Sequence, residues 1–272
     1  MASRATALVA GIIDRIEERP SGTGRPPVPT IKVVEALRFF LREGVQWREL
    51  RAIVGRASGS TLRRRLDDWS AVALLRRVHA VLVRMVRAGP EAAPWDVVVD
   101  SCSVRAKHGG ELTGPNPTDR GKPGTKYHVV VATDGIPLGA VPSAANVHDT
   151  RLFRHLLHLA QSVGAAIGRL YADAGYDSAE NRARCLRHGI QPHIRKIGAA
   201  HGSGLGRIRC VVEHDCAWLL ANKRLDRRQD RLGRVILALL TAACIFISPT
   251  VSVASENQWD GRSPPSASPC QA

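Results

Sequence analysis

The second half of this chain alternates short apolar runs with helical segments, and this alternation constrains the fold more than any other feature. The β-branched run VVVD (97–100) and the run GRLYAD (168–173) have the length and composition of strands. The segment YHVVVATDGIPLGAVPSA (127–144) is typical of a hairpin that turns at Asp134 and Gly135. Strands joined through helices require the crossover connections of a partly parallel sheet. The sequence therefore predicts a mixed α/β fold.

Helical segments and loops fill the remainder of this region. The further predicted elements are a helix from an Asp149 cap to about 163, a helix from Ser178 to His188, a short strand at 190–194, a long helix at about 209–226 and a last helix at about 232–247. Residues 107–125 and 197–206 lack apolar periodicity, which predicts loops. The tail 248–272 lacks it as well, which predicts disorder.

A change of character near residue 93 predicts two domains. Residues 1–93 predict a helical domain, and residues 94–247 predict the α/β domain. Within the first, the segment VVEALRFFLREG (33–44) places its apolar residues on one helical face. Gly44 ends that segment, as a helix C-cap does.

An arginine-rich segment follows this first helix. A short helix at 47–54 and a helix capped by Ser60 are predicted there. Helix, glycine-containing turn and arginine-rich helix together are typical of a helix-turn-helix, with Arg63, Arg64 and Arg65 facing DNA. A solvated basic face on an ordinary helical bundle explains the same pattern equally well.

The charge of the chain favours a polyanionic partner. The 272 residues include 39 lysines and arginines against 24 aspartates and glutamates, which gives a formal net charge of +15. Residues 1–95 hold 17 basic and 9 acidic residues, so about half of the excess lies in the predicted helical domain. Such an imbalance is typical of proteins that bind nucleic acid.

Composition also excludes several protein classes. Six cysteines with no CxxC pair exclude a disulfide-dense scaffold and a zinc ribbon. The N-terminal segment has no long apolar run, so no secretory signal is predicted. The longest apolar stretch, 232–247, is shorter than the roughly 20 residues that span a bilayer. These features predict a soluble, cytoplasmic protein that associates with the nucleoid.

Three carboxylates stand where metal-dependent chemistry needs them. Asp100 and Asp173 each follow a strand-like run, and neighbouring parallel strands would bring both to one sheet edge. Two adjacent carboxylates repel each other unless a cation lies between them, and Mg²⁺ prefers such oxygen ligands. Glu213, on the predicted long helix, would complete a two-metal site that activates water or a 3′-hydroxyl. Arg209 lies on the same helical face as Glu213.

These motifs resemble those of a known family, the DDE transposases of bacterial insertion sequences, in the group named for insertion sequence five. The matching catalytic segments are VVVDSCSVRA (97–106), TDRGKPGTKYHVVVATDGIPLGAVPSAANVHDTRLF (118–153), LYADAGYDS (170–178) and RCVVEHDCAWLLANKRL (209–225). The segments REGVQWREL (42–50) and STLRRRLDDW (60–69) resemble the helical DNA-binding domain of this family.

The resemblance implies a ribonuclease-H-like core with a mixed sheet, preceded by an all-α, helix-turn-helix-like domain. It implies that Asp100, Asp173 and Glu213 are the catalytic residues and hold two Mg²⁺ ions, with Mn²⁺ as an alternative. It also implies binding of terminal inverted repeats and target DNA, strand cleavage, strand transfer, and at least a homodimer in the active complex. His214 and Asp215 depart from the family's pattern, which often has a small hydroxyl residue shortly after the glutamate.

Basic residues flank these motifs and are predicted to bind DNA phosphates. Besides the three arginines of the helical domain, they are Arg105, Lys107, Arg120, Lys122, Lys126, Arg209, Lys223 and Arg224. A solvated loop or face is the alternative for each group. Among other residues near the motifs, Asp149 is a rival for the acidic cluster, but its position before a helix favours a cap. Trp218 is predicted to pack in the core and His128 to be structural.

Two other functions fit the same residues. A related nuclease without strand transfer would share all three acids, and a product assay with a target plasmid separates it from a transposase. A helix-turn-helix regulator, or a decayed copy that only binds DNA, would have no use for three carboxylates. Their presence therefore favours an enzyme.

Overall fold

The computed structural model describes residues 3–18, 26–86, 94–164, 166–196, 198 and 205–247. The predicted tail 248–272 and most of the predicted loop 197–206 lie outside these residues. In the part of the chain that is described, no helix is long and apolar enough to cross a membrane.

A mixed sheet lies at the centre of the α/β region. Its strands are β1 (Trp95–Arg105), β2 (Gly114–Pro115), β3 (Pro123–Ala132), β4 (Pro137–Ala144), β5 (Ile167–Ala172) and β6 (Gln191–Ile194). β1 is antiparallel to β3 on one side and parallel to β5 on the other. β3 also pairs with β2 and β4, and β5 pairs in parallel with β6. The predicted mixed α/β fold and its hairpin are confirmed.

Both faces of this sheet are buried, and the unbroken valine run of β1 supplies both. Val98 belongs to one apolar core, whereas Val97 and Val99 belong to a second core on the opposite face. Successive side chains of a strand point to opposite faces, so a strand covered on both sides is continuously apolar.

Helices cover the two faces. Five of them follow β4 in the chain: α5 (Phe153–Ser162), α6 (Ala179–Arg187), α7 (Leu205–Ala221), α8 (Lys223–Asp226) and α9 (Gly233–Ile247). α5 and α6 contribute to the core that contains Val97 and Val99. α7, α8 and α9 contribute to the core that contains Val98.

Four helices precede the sheet, and they share the core of α9. They are α1 (Arg4–Ile16), α2 (Thr30–Glu43), α3 (Gly59–Ala71) and α4 (Leu74–Val86). Leu37 of α2 and Leu66 of α3 are buried in the same apolar cluster as Leu240 of α9. The Trp47 indole N–H donates to Asp230 Oδ1 at 2.9 Å, which adds a polar contact between the two parts. The predicted helical region therefore packs on the α/β region through a continuous core.

The predicted helix at 47–54 is wrong. Residues 47–49 form a turn, and residues 53–56 form a second turn closed by two backbone hydrogen bonds. The link between α2 and α3 is consequently longer than the turn of a helix-turn-helix. Ser58, rather than Ser60, caps α3 by accepting a hydrogen bond from the Thr61 N–H.

Two further boundaries differ from those predicted from sequence. β1 does not end at Asp100 but continues to Arg105, because β3 pairs with it beyond the last pair with β5. The predicted long helix is split, since α7 ends at Ala221 and α8 begins at Lys223.

Candidate active site

Asp100 and Asp173 lie side by side at the edge where β1 and β5 part. The final pair between these parallel strands joins Val99 to Ala172, and the two aspartates are the next residues of each strand. Paired strands lie about 4.8 Å apart, so the two backbones enter the site close together. Both side chains are partly buried. The predicted placement of the two aspartates is confirmed, whereas their catalytic role remains a prediction.

A glycine turn fixes the carboxylate of Asp173 and brings a second acid beside it. Asp173 Oδ1 accepts a hydrogen bond from the Gly175 N–H at 3.0 Å. A Cβ built on Gly175 would lie 3.0 Å from Asp149 Oδ2 and 3.1 Å from Asp173 Oδ1. Both carboxylates therefore press against the same glycine, and a larger residue there would displace at least one of them.

Asp149 is not the predicted helix cap but part of the site. Its Oδ1 accepts hydrogen bonds from Lys126 Nζ at 2.9 Å and from Ser101 Oγ at 3.3 Å. His148, one residue earlier, caps the short 3₁₀ turn through its own side chain. The place of Asp149 before a helix favours a cap, whereas its contacts with Lys126 and Ser101 depend on the register of β3 against β1, in which Lys126 pairs with Ser103.

An uncharged layer lies beneath the carboxylates. His128 Nδ1 lies 3.3 Å from the Tyr176 hydroxyl, and its Nε2 lies 2.9 Å from Ser143 Oγ. Burial lowers the pKa of His128 to about 4, an effect that Asp149 partly opposes. Burial raises the pKa of Tyr176 well above its usual value, and Asp149, Asp100 and Asp173 raise it further. The tyrosine hydroxyl is therefore protonated, and the charges of all three acids act on it. His128 is neutral and buried, in agreement with the predicted structural role.

α7, the helix that carries Glu213, lies on the helical side of this sheet. α7 packs against β1, β3 and β5. The Cys216 thiol of α7 contacts Cys102, and its pKa is raised by that hydrogen bond, by burial and by the nearby Asp100. Glu213 stands one helical turn before Cys216 and is exposed. Among the described residues, no three His, Cys, Asp or Glu side chains are close enough to share one metal ion.

Asp215 is the unexpected residue of α7. Its side chain is fully buried, and neither carboxylate oxygen has a hydrogen-bond partner among the described residues. Burial raises its pKa to about 7. Val212 and Leu219, at helical spacing on either side, are buried in the apolar core. The face of α7 that turns inward therefore carries an acid, while Glu213 faces outward.

A cleft of about 970 Å³ opens beside the carboxylates. Its lining includes Ser101, Lys126 and Asp149, and also Lys107 and Arg227. The last two are exposed cations. The carboxylates of Asp119, Asp149 and Asp226 also line the cleft, together with further cations, so its lining carries both signs of charge with an excess of positive charge.

Most of the predicted DNA contacts either have an exposed or half-buried side chain or form an ion pair at the surface. Exposed side chains belong to Arg63, Arg64, Lys107 and Arg120, and Lys122 is half-buried. Others are exposed or partly buried and form ion pairs: Arg105 with Asp119 at 2.6 Å, Lys126 with Asp149 and Lys223 with Glu43 at 3.0 Å. The side chain of Arg209 lies outside the described residues.

The prediction of a DNA contact is wrong for two arginines, because their side chains are largely buried and paired within the protein. Arg224 is 4% exposed and makes two hydrogen bonds to Asp230, at 2.7 and 2.8 Å, with its guanidinium over the Phe40 ring. Arg65 is paired with Glu17 at 2.8 Å in a largely buried position. The core prediction for Trp218 is wrong too, since its side chain is 52% exposed on α7.

Comparison with known proteins gives consistent matches. Residues 91–247 match the family described as transposase DDE domain. A putative transposase for insertion sequence element IS402 of Burkholderia cepacia is 36% identical over 179 residues, covering 62% of this chain and 83% of that protein. An IS402 uncharacterized 16.2 kDa protein of the same organism is 36% identical over 99 residues, 36% of this chain and 67% of that protein. A piggyBac transposase synaptic complex with hairpin DNA aligns over 96% of this chain and 74% of that chain, with 10% identity and a TM-score of 0.41.

Proposed function

Because the chain belongs to the DDE transposase family and is therefore a DNA transposase, we propose that Asp100, Asp173 and Glu213 carry its strand cleavage and strand transfer. The observation that carries the proposal is the register of β1 against β5, which sets the two aspartates next to each other at one sheet edge. α7, the helix that carries Glu213, packs against the same strands, which supports including this glutamate in the proposal. The substrates are the terminal inverted repeats of an insertion sequence and a target DNA.

The donor set fits divalent metal ions, on which enzymes of this class depend. The three side chains offer only carboxylate oxygens, which suit Mg²⁺ or Mn²⁺ and not softer ions. We assign two ions to the site; such ions activate an attacking hydroxyl and stabilise the leaving oxygen of a phosphodiester. Asp173 is held for this role by the Gly175 N–H, which fixes one carboxylate oxygen.

Residues around the carboxylates position the reacting strand. The Lys126 ammonium is fixed by Asp149 and by the Val147 carbonyl at 3.2 Å, in the lining of the cleft. It is therefore placed to face a phosphate that approaches the acids. The neutral state of His128 means that the layer below adds no competing cation at neutral pH.

The basic surfaces define a path for DNA. The strand to be cut enters along the cleft lined by Lys107 and Arg227, near Arg120 and Lys122 of the same loop region. Residues 1–93 hold the element end through exposed arginines such as Arg63 and Arg64. Two element ends require at least a homodimer in the active complex, and a chromosomal substrate places the reaction at the nucleoid in the cytoplasm.

A cleavage and joining assay tests this proposal. The substrate is a linear DNA that carries the gene of this chain with its flanking sequence, incubated with Mg²⁺ and a target plasmid. The wild type is expected to cut near the element ends and to join them to the plasmid, and Asp173→Asn is expected to do neither. Cleavage without joined product would indicate the related nuclease instead. Equal activity of the two proteins would contradict the assignment of the carboxylates.

A further inference from the structure

The turn between α2 and α3 exposes two apolar side chains at its tip. Val54 is 93% exposed and Ile53 is 59% exposed. The turn is closed by a reciprocal pair of backbone hydrogen bonds, from Ile53 N–H to the Arg56 carbonyl at 3.0 Å and from Arg56 N–H to the Ile53 carbonyl at 3.1 Å. Burial of such apolar side chains is favourable, so the exposure of two adjacent ones at the tip of a closed turn suggests that a partner covers them.

The base of this turn is anchored to the helical domain. The Arg56 guanidinium lies 3.7 Å from the centroid of the Phe39 ring. Ala57 N–H donates to the Lys32 carbonyl at 2.9 Å, and Gly59 N–H donates to the Leu50 carbonyl at 2.7 Å. These contacts hold the tip away from the core as a fixed projection.

A basic cleft of about 490 Å³ adjoins the turn. Arg48, Arg51 and Arg63 line it and are exposed. Within the part of the chain that is described, none of the three has a carboxylate partner. Glu49 is the only acidic residue between 47 and 64, against five arginines. This segment, which contains the apolar tip, therefore carries an excess of positive charge.

We propose that this turn, residues 53–56, is a wedge that deforms duplex DNA. The arginines of the adjoining cleft bind phosphates, and Ile53 and Val54 insert between base steps from the minor groove. Proteins that kink DNA combine these two elements, apolar side chains that unstack bases and basic residues that hold the backbone. The inference rests on the proposed function, because it takes DNA as the partner.

The composition of the surface favours DNA over a protein partner. Stable protein interfaces bury on the order of 800 Å² on each side around an apolar centre. Here the apolar part is limited to the tip of one turn, and the three exposed arginines beside it would be buried against a partner that must supply matching acids. A DNA backbone supplies negative charge along its whole length.

Energy transfer between dyes measures the bend directly. The probe is a duplex from the DNA flanking this gene, labelled with a donor and an acceptor at its ends, with a mixed-sequence duplex as reference. Wild type is expected to bring the dyes closer on binding. The double variant Ile53→Ser with Val54→Ser is expected to bind with an unchanged salt dependence but to lose most of the change in energy transfer. Val72→Ser, which alters another exposed apolar side chain at the turn after α3, is expected to behave as wild type.

Arginine variants separate binding from bending. Arg48→Ala and Arg51→Ala are each expected to reduce the slope of log affinity against log salt by about one. Binding by wild type without a change in energy transfer, or full bending by the double serine variant, overturns the wedge and leaves the proposed function intact. A change in the sedimentation of the DNA-free double variant would identify the tip as a contact between copies of the chain and would overturn it too. Failure of wild type to bind any duplex overturns the wedge together with the proposed function.

Discussion

The proposed site has a strand-borne half, Asp100 and Asp173, and a helix-borne half, Glu213. The two halves are positioned in different ways. Asp100 and Asp173 are placed by the pairing of β1 with β5, which leaves little freedom in their relative position. Glu213 is placed by α7, whose rotation about its own axis decides which acid faces the sheet. In this helix Glu213 is exposed and Asp215 is buried without a hydrogen-bond partner among the described residues. Sheet register therefore fixes the positions of two proposed ligands, and helix packing governs the position of the third.

The strand-borne half should show the largest effect on activity. Asp173→Asn removes one charge but retains an oxygen that can accept from the Gly175 N–H, so the fold is expected to persist. Loss of a metal ligand costs several kcal/mol of transition-state stabilisation, which corresponds to a rate on the order of a thousand-fold lower. The measurement is the rate of strand cleavage at saturating Mg²⁺. Asp134→Asn, in the hairpin turn, is the control and is expected to keep full activity.

On the helical side of the molecule, Arg224 of α8 forms a buried ion pair with Asp230. Replacement by Met leaves Asp230 buried without its guanidinium partner, which is expected to lower the free energy of unfolding by about 3–5 kcal/mol. Lys223→Met removes an exposed pair with Glu43 and is expected to cost about 1 kcal/mol or less. Denaturant titration compares the two. Equal stability of both variants would contradict the buried position of Arg224 and would restore it as a surface contact.

The buried carboxylate of Asp215 on α7 is expected to lower the free energy of unfolding of the wild type. Asp215→Leu removes an unpaired buried carboxylate and is expected to raise the free energy of unfolding by about 1–3 kcal/mol. Its folded pKa of about 7 lies above the unfolded value, so folding favours the protonated form. Stability of the wild type should therefore fall as pH rises from about 4 to 7, and the advantage of the leucine variant should grow over the same range. A pH-independent difference, or a less stable leucine variant, would show that the acid is paired.

Asp149 should contribute less to cleavage than Asp100 and Asp173, the two proposed metal ligands on the strands. Asp149→Asn weakens the hold on Lys126 without removing a proposed ligand, and cleavage is expected to slow about tenfold, or roughly 1.4 kcal/mol. Lys126→Met should have a similar effect, and the double variant should be little worse than either one, since the two residues act as a pair. Additive losses would indicate that Asp149 acts independently of Lys126.

The sequence predicted most of the sheet but less of the site. Strand periodicity, the Asp134–Gly135 turn and the aspartates after VVV and GRLYA could be found because they depend on local pattern. Asp149 could be named from the sequence only as a rival for the acidic cluster, since its contacts depend on β3 placing Lys126 opposite Ser103, beside Ser101. Burial of Arg224 depends on Asp230 and on Phe40, far away in the chain. Pairing of this kind has no signature in residue spacing.

A change of metal preference tests the central claim most directly. In Asp173→Cys a soft thiolate replaces a hard oxygen ligand, and thiolates favour softer ions than Mg²⁺. Cleavage of element-end DNA by this variant is expected to be lost in Mg²⁺ and partly restored by a thiophilic ion such as Cd²⁺, while Asp134→Cys behaves as wild type throughout. Wild-type rates for Asp173→Cys in Mg²⁺, or cleavage by the unmodified protein in the presence of a chelator, would contradict a metal site built on Asp100, Asp173 and Glu213.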